Sequence, residues 1–455
     1  MKTPISMPKP TYPLTIFNLY RIRQDTCQHV HPADIKITAS SIFMFVFQHR
    51  ILVICIPKVV MVLCMKTHLL DKLLKSSVEK GDLQGVAAII SNENKHLYAA
   101  GFGISGPKKS QTMTTDTVLW VASMTKAVTA VAAMQLVERG LIKLDEPAFT
   151  LLPELRNIQV LQGFDETGDP KLRPPKYNIT LRNLMTHTAG FGYDVWHQQI
   201  KDFVKSKNII SRSSGSRAAL MTPLMFDPGT DWAYSISIDW VGLMIEEATK
   251  QKLGEFLKTN IFEPLGMKST GFFIDNKMSN SLATMYRREN NTLRPDLKFK
   301  MKQNPEVEAG GGGLYSTLND YILFLRMLLN DGRAGTLQIL RPETIKVMFT
   351  NHIGNNVDMK MYSTNKAISR DVNFFPGTPK SWGLSFMINQ EKAETGRPAN
   401  SIGWAGLPNC YFWLDPKNKI AGVFGTQILP FIDKKAFPLY MAFEKTVYRS
   451  LLGEY

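Results

Sequence analysis

The chain has 455 residues, of which 44% are hydrophobic and 20% charged, which is typical of a globular protein with a large core. Its formal net charge is +15, but the basic residues are scattered, so we expect a solvated surface and no nucleic-acid partner. The four cysteines have neither the spacing of a zinc site nor that of a disulfide framework, and we predict no metal and no organic cofactor.

Residues 1–64 differ from the rest of the chain, and we treat them as a leader outside the fold. Their apolar runs are interrupted by His49, Arg50 and Lys58, whereas a membrane span needs ~20 continuous apolar residues. The segment also lacks the early basic part of a secretory signal. One hypothesis is that the natural protein starts at Met65. A cytoplasmic location is expected if the leader is absent or is not a signal, with export as the alternative.

Residues 65–455 show a regular order of elements. Apolar residues at helical spacing precede two predicted strands at 86–90 and 97–102, and a long apolar helix follows at 127–138. Further helices are predicted at 239–250, 253–262, 318–330 and 438–452, and strands at 382–389, 401–404, 411–414 and 420–426. This order predicts an α+β fold, with sheet parts at about 65–120 and 300–455 and a helical insertion at about 121–299.

The stretch Ser123-Met-Thr-Lys126 lies where a strand-like run changes to the helix at 127–138. Ser123 is therefore placed at a helix N-terminus, where free N–H groups and the helix dipole favour an alkoxide or oxyanion. Lys126 lies one turn later on the same face, and its amine can accept the hydroxyl proton if its pKa is lowered. The alternative is an ordinary serine cap followed by a solvated lysine.

Two further motifs and three supporting stretches identify a resemblance. The motifs are Tyr234-Ser-Ile236 and Trp404-Ala-Gly406, and the supporting stretches are residues 184–190, 262–267 and 309–316. In this order and spacing, the body of the chain resembles the serine β-lactamase and penicillin-binding-protein superfamily. It is most similar to the branch of class C β-lactamases and β-lactamase-fold esterases. The resemblance implies a β-lactamase/transpeptidase-like fold, with an antiparallel sheet flanked by helices.

The resemblance also implies roles for individual residues. Ser123 would attack an acyl carbonyl, while Lys126 and Tyr234 would share a proton relay in which the ammonium hydrogen-bonds the phenol and favours the phenolate. The backbone N–H groups of Ser123 and Leu407 would form an oxyanion hole. Gly406 would let the edge strand approach the acyl group closely.

Two departures from the β-lactamase pattern bear on the substrate. Ile236 stands where class C β-lactamases have an amide, and Trp404 stands where a lysine would contact the carboxylate of a β-lactam. Both changes favour contact with a neutral, apolar substrate. The resemblance therefore implies a serine hydrolase acting on small-molecule esters, as a carboxylesterase or transacylase.

Two other functions remain open at this point, namely a β-lactamase or D-Ala-D-Ala carboxypeptidase, and a non-catalytic binding or scaffold protein. The sequence leaves the oligomeric state open. We expect His187 to be a structural hydrogen-bonding residue, and Asp239 to face solvent or cap a helix. The glycines at 310–313 are expected to form a bend beside the cleft, and Cys410 to be buried.

Overall fold

The computed structural model describes residues 66–107, 111–355 and 357–453, together with the backbone of two short strands. These strands, β1 (Met44–Phe47) and β2 (Arg50–Val53), pair antiparallel with each other. The chain divides into the compact units Met1–Cys64 and Met65–Tyr455. Apart from β1 and β2, the predicted leader lies outside the described residues, so the expectations about it stay predictions.

Eleven α-helices are found in the described part of the second unit. They are α1 (Thr67–Glu79), α2 (Thr125–Glu138), α3 (Leu181–Thr186), α4 (Gln198–Ser206), α5 (Ser237–Thr249), α6 (Leu253–Leu257), α7 (Glu263–Leu265), α8 (Asn276–Asn280), α9 (Leu318–Leu329), α10 (Pro342–Met348) and α11 (Ala436–Leu452). The helix predicted at 253–262 is α6 continued by a π-helical turn, Lys258–Phe262. Among the helices that the structure describes, none combines the length and hydrophobicity needed to cross a membrane.

The strands of the second unit form one large sheet and several small ones. They are β3 (Gly85–Asn92), β4 (His96–Gly103), β5 (Leu119–Trp120), β6 (Val160–Phe164), β7 (Pro170–Arg173), β8 (Met285–Glu289), β9 (Thr292–Asp296), β10 (Tyr315–Ser316), β11 (Arg333–Ala334), β12 (Leu337–Gln338), β13 (Lys380–Trp382), β14 (Met387–Asn389), β15 (Ser401–Gly406), β16 (Cys410–Asp415), β17 (Ile420–Gly425) and β18 (Ile428–Leu429). The large sheet has seven antiparallel strands in the order β13-β14-β15-β16-β17-β3-β4.

The C-terminal half of the large sheet differs from the sequence prediction in two respects. It begins at Lys380 and not near residue 300, because α9, α10, the short strands β10, β11 and β12 of two small sheets, and irregular segments occupy the intervening chain. The single strand predicted at 382–389 is the hairpin of β13 and β14. Ser385 in its turn has a φ of 75°, which a strand does not allow, and the Gly383 N–H donates to the Phe386 carbonyl.

Helices cover both faces of the large sheet. On β16, Phe412 packs against Tyr321 of α9, and the next residue, Trp413, packs against Tyr440 of α11. Successive side chains of a strand point to opposite faces, so α9 and α11 lie on opposite sides of the sheet. The architecture is therefore α+β, with an antiparallel sheet between helical layers, as the sequence predicts.

Helix α2 is the central helix of the helical part and carries the Ser123 stretch at its start. Its residues from Thr125 to Leu136 are all buried, and apart from Lys126 and Gln135 their side chains are small or apolar on every face. Strand β15 passes close to the start of this helix. A Cβ on Gly406 would lie 2.3 Å from the Val121 carbonyl oxygen, so only glycine allows this approach.

Candidate active site

Ser123 lies in a 3₁₀ turn, Ala122–Met124, that leads directly into α2. The preceding Ala122 has a φ of 44°, a left-handed conformation that is strained for a residue with a side chain. Ser123 lines a cavity of about 340 Å³. The sequence prediction that Ser123 stands at the N-terminus of a helix agrees with this position.

The Lys126 side chain is 0% exposed and points back toward Ser123. Its Nζ donates to Ser123 Oγ at 3.2 Å, to the Tyr193 hydroxyl at 3.0 Å and to the Gly311 carbonyl at 2.6 Å. All three partners are uncharged groups. Burial lowers the pKa of Lys126 to about 7; the charge of Asp239 opposes this shift and that of Arg212 adds to it. Near neutral pH the amine therefore exists in both protonation states.

Tyr193, between α3 and α4, is a member of the site that the sequence analysis missed. Besides its bond to Lys126, its ring lies 4.3 Å from the Arg212 guanidinium carbon, and burial raises the pKa of its hydroxyl well above the usual value. Its one signal in the sequence is its place three residues after the supporting stretch at 184–190. Tyr193 belongs to none of the recognised motifs, so only its contact with Lys126 in the structure identifies it.

Tyr234 lies beside Lys126, but the predicted hydrogen bond between them is wrong. The Lys126 Nζ lies 4.7 Å from the centre of the Tyr234 ring, and the Tyr234 hydroxyl accepts a hydrogen bond from Trp404 Nε1 at 2.9 Å. Burial raises the pKa of Tyr234, although hydrogen bonding with Ser123 and Trp404 opposes this. Tyr234 is therefore a neutral phenol in the resting site, where burial disfavours the phenolate that the predicted relay would favour.

Trp404 and Ile236 are both buried, and neither is among the residues that line the cavity. The Trp404 ring packs at 4.9 Å from the Tyr234 ring and at 4.6 Å from the Trp382 ring. Ile236 precedes α5, and its carbonyl accepts from the Asp239 N–H. The prediction that these side chains contact substrate directly is therefore wrong. Trp404 hydrogen-bonds Tyr234, and Ile236 packs at the start of α5.

Leu407 follows β15 and lines the same cavity as Ser123, on the side where Gly406 approaches α2. The predicted pair of oxyanion donors, the N–H groups of Ser123 and Leu407, thus comes from two segments that border one cavity. Their role as donors stays a prediction.

The glycines at 310–313 form the predicted bend beside the cavity. Gly311 and Gly312 line it, and Gly312 accepts a hydrogen bond from Trp120 Nε1 at 2.8 Å. Gly311 is held on its other side by Asp239, whose Oδ1 accepts from the Gly311 N–H at 2.7 Å. Asp239 is only 4% exposed, so the expectation that it faces solvent is wrong. A carboxylate on the first turn of α5 is favoured by the helix N-terminus, which helps it tolerate burial.

His187 and Cys410 have structural surroundings, as expected. His187 Nδ1 lies 3.1 Å from Ser235 Oγ, and burial together with the nearby Lys126 charge lowers the pKa of His187 well below 6.5. Burial likewise raises the pKa of Cys410 to about 12. Neither side chain is among those lining the cavity of Ser123.

Comparison with known proteins places this geometry in a family. Residues 70–440 match the β-lactamase family model. The chain is 30% identical to monacolin J acid methylbutanoyltransferase from Aspergillus terreus over 84% of this chain and 95% of that one. It is 28% identical to lovastatin esterase from Penicillium rubens over 84% of this chain and 98% of the esterase.

A solved structure shows the same architecture. The LovD6 mutant of simvastatin synthase from Aspergillus terreus superposes with a TM-score of 0.73 at 28% identity, covering 85% of this chain and 95% of that one. These similarities confirm the predicted α+β fold and the prediction of a serine-hydrolase-type enzyme. The chain belongs to the β-lactamase family.

Proposed function

We propose that this protein transfers acyl groups from small-molecule esters, as a carboxylesterase or transacylase, through an acyl-enzyme on Ser123. The observation that carries the proposal is the amine of Lys126. It is fully buried, lies 3.2 Å from Ser123 Oγ, and has a pKa lowered to about 7. An amine in this state can take the proton of a hydroxyl at neutral pH, which an ordinary lysine cannot do.

The proposed reaction begins when neutral Lys126 accepts the Ser123 proton as Oγ attacks the acyl carbonyl. The N–H groups of Ser123 and Leu407 stabilise the oxyanion, each contributing ~3 kcal/mol to lowering the barrier. The ester C–O bond then breaks, and the leaving alkoxide takes the proton from the Lys126 ammonium. The Tyr234 hydroxyl, which shares a hydrogen bond with Ser123, helps to hold Oγ in place. Water or an alcohol attacks the acyl-enzyme by the reverse proton path and restores Ser123. Trp404 orients the phenol through its N–H.

A neutral, apolar acyl group fits the walls of the cavity. The lining includes charged side chains such as Arg212 and Arg287, but its apolar members form one cluster with Ala122, the neighbour of Ser123; they are Trp120, Phe299, Met301, Leu407 and Leu429. The chain also has Trp404 where β-lactamases have a cation for the substrate carboxylate. Relatives named as a methylbutanoyltransferase and an esterase support acyl transfer to an alcohol or to water.

The Ser123→Ala variant tests the proposal directly. We expect turnover of short p-nitrophenyl esters to fall by roughly 10³-fold or more, because the nucleophile is lost. Ser381→Ala is the control, since the Ser381 hydroxyl is buried, has no hydrogen-bond partner in the described structure and does not line the cavity. It should keep wild-type turnover. Undiminished esterase activity in Ser123→Ala would contradict the proposal.

The alternatives are separated by substrate and by labelling. A β-lactamase or D-Ala-D-Ala carboxypeptidase would use the same Ser123, so fast nitrocefin hydrolysis combined with weak esterase activity would favour it. A non-catalytic protein of this fold would leave Ser123 unlabelled by a fluorophosphonate probe under all conditions. We expect labelling and a preference for esters.

A further inference from the structure

The carboxylate of Asp239 is a buried charge that the proposed reaction does not use. It lies on the first turn of α5, lines the cavity and is 4% exposed. A buried carboxylate without a function is costly, because removing it from water disfavours the charged form. Its contacts therefore indicate a role at the site.

Gly311 connects Asp239 to Lys126. The Gly311 N–H donates to Asp239 Oδ1 at 2.7 Å, and the Gly311 carbonyl accepts from Lys126 Nζ at 2.6 Å. A Cβ on residue 311 would lie 2.9 Å from the same Oδ1, so the glycine backbone fits closely against the carboxylate. Gly311 therefore bonds Asp239 through its N–H and Lys126 through its carbonyl.

Asp239 supplies the negative charge that acts on Lys126, because the groups in contact with the amine are uncharged. Ser123, Tyr193 and Gly311 are uncharged hydrogen-bond partners, and Tyr234 presents its ring. Two charged side chains act on the amine from neighbouring segments: Arg212 disfavours the ammonium and Asp239 favours it. Burial and the Lys126 charge lower the pKa of His187, so His187 is neutral.

We infer that Asp239 is a positioning residue for the proposed acyl transfer: it fixes Gly311, and through Gly311 it fixes the Lys126 amine beside Ser123. Its charge also balances that of Arg212, so that the amine can carry a proton during the reaction and release it afterwards. This inference rests on the proposed function of Ser123 and Lys126.

The test measures the rate at which a fluorophosphonate labels Ser123 between pH 5 and 9, together with kcat and KM for a p-nitrophenyl ester. Asp239→Asn keeps an oxygen for the Gly311 N–H but removes the charge, whereas Asp239→Ala removes both. Asp415→Asn is the control. Its carboxylate is equally buried, but it bonds Tyr448 and Asn418 and does not line the cavity.

We expect the midpoint of the acidic limb in Asp239→Asn to move to lower pH by roughly one unit, because the ammonium loses its favourable charge. The rate at high pH should stay within a few-fold of wild type. Asp239→Ala should lower kcat at high pH by roughly 10- to 100-fold with little change in KM, because the amine is misplaced. Asp415→Asn should match wild type in midpoint and kcat.

An unchanged midpoint in Asp239→Asn, or full kcat in Asp239→Ala, would overturn the inference while leaving the role of Ser123 intact. If Asp239→Ala does not fold, the near-isosteric Asp239→Asn still tests the inference, through the midpoint of its acidic limb. Wild-type protein that is not labelled on Ser123 at any pH would overturn the proposed function and this inference with it.

Discussion

Two buried cations, Lys126 and Arg397, show how differently the same fold treats a positive charge. Arg397 is 2% exposed, and its Nε donates to Glu444 Oε1 at 2.9 Å while its Nη2 donates to the Tyr440 hydroxyl at 2.8 Å. Burial lowers the pKa of Arg397, but the Glu444 carboxylate more than offsets it. Lys126 is equally buried and hydrogen-bonds only uncharged groups.

Both side chains are buried, so their different behaviour comes from the chemistry of each group and from its hydrogen-bond partners. Arg397 remains an ion because a guanidinium is a very weak acid and because its counter-ion is in direct contact. Lys126 changes protonation near neutral pH because burial lowers its pKa to about 7, and the charge of Asp239, which bonds Gly311 and not the amine, offsets this only in part.

Lys126→Met should lower kcat/KM for p-nitrophenyl esters by roughly 10²- to 10⁴-fold, because the general base is lost. The fold should be kept, since an apolar chain of similar length replaces an amine that burial disfavours. Activity and thermal denaturation are measured together. Lys72→Met on the exposed face of α1 is the control, and a Lys126→Met variant with wild-type activity would contradict the comparison.

Arg397→Met should show the opposite pattern and destabilise the fold. Leaving the Glu444 charge buried without its partner should lower the free energy of unfolding by about 3–5 kcal/mol. Urea unfolding measures this loss, and the double variant with Glu444→Gln should recover part of it. The kcat of the remaining folded protein should not change. A large loss of kcat with normal stability would show that Arg397 is not a purely structural cation.

The pH dependence of wild-type ester hydrolysis should report Lys126 and not Arg397. The reactive form is the neutral amine, so activity rises as pH increases through the pKa of about 7 and falls roughly tenfold per unit below it. Arg397 stays charged throughout this range. A kcat/KM profile measured from pH 5 to 9 that is flat would show that Lys126 does not limit the reaction.

Trp404→Phe should have a smaller effect, because it removes one hydrogen bond to Tyr234 and keeps an aromatic ring. We expect kcat/KM to fall by about 2- to 10-fold, which corresponds to roughly 0.5–1.5 kcal/mol for one hydrogen bond. Trp413→Phe is the matched control, since the Trp413 Nε1 is buried with no hydrogen-bond partner in the described structure. Equal activity of the two variants would argue against a role for the Trp404 N–H.

Removal of residues 1–64 should have the smallest effect. Both Lys126 and Arg397 belong to the compact unit Met65–Tyr455, so kcat and the melting temperature should match those of the full chain. Mass spectrometry of the native N-terminus complements this experiment, because peptides from residues 1–60 would refute a start at Met65. A clear loss of activity on truncation would show that the leader contributes to the site.

Prediction from sequence succeeded where local pattern and residue type agree. The helix that begins near Ser123 and the strands at 86–90 and 97–102 follow from apolar periodicity, and α2, β3 and β4 confirm them. It was less reliable where a turn interrupts an apolar run, as in β13 and β14, because the run continues through the turn and only Gly383 and the backbone of Ser385 mark it.

The order and spacing of the motifs were enough to predict the family. Ser123 and Lys126 could also be identified from the sequence, because a spacing of three residues at a helix start sets their contact locally. Which tyrosine bonds the amine, and what Trp404 contacts, depends on the packing of distant segments. Tyr193, Tyr234 and Trp404 come from distant segments, and hydrogen bonds between them depend on ångström-scale packing that no local pattern encodes. The same holds for Asp239, whose burial and contact with Gly311 arise only when α5 packs against α2.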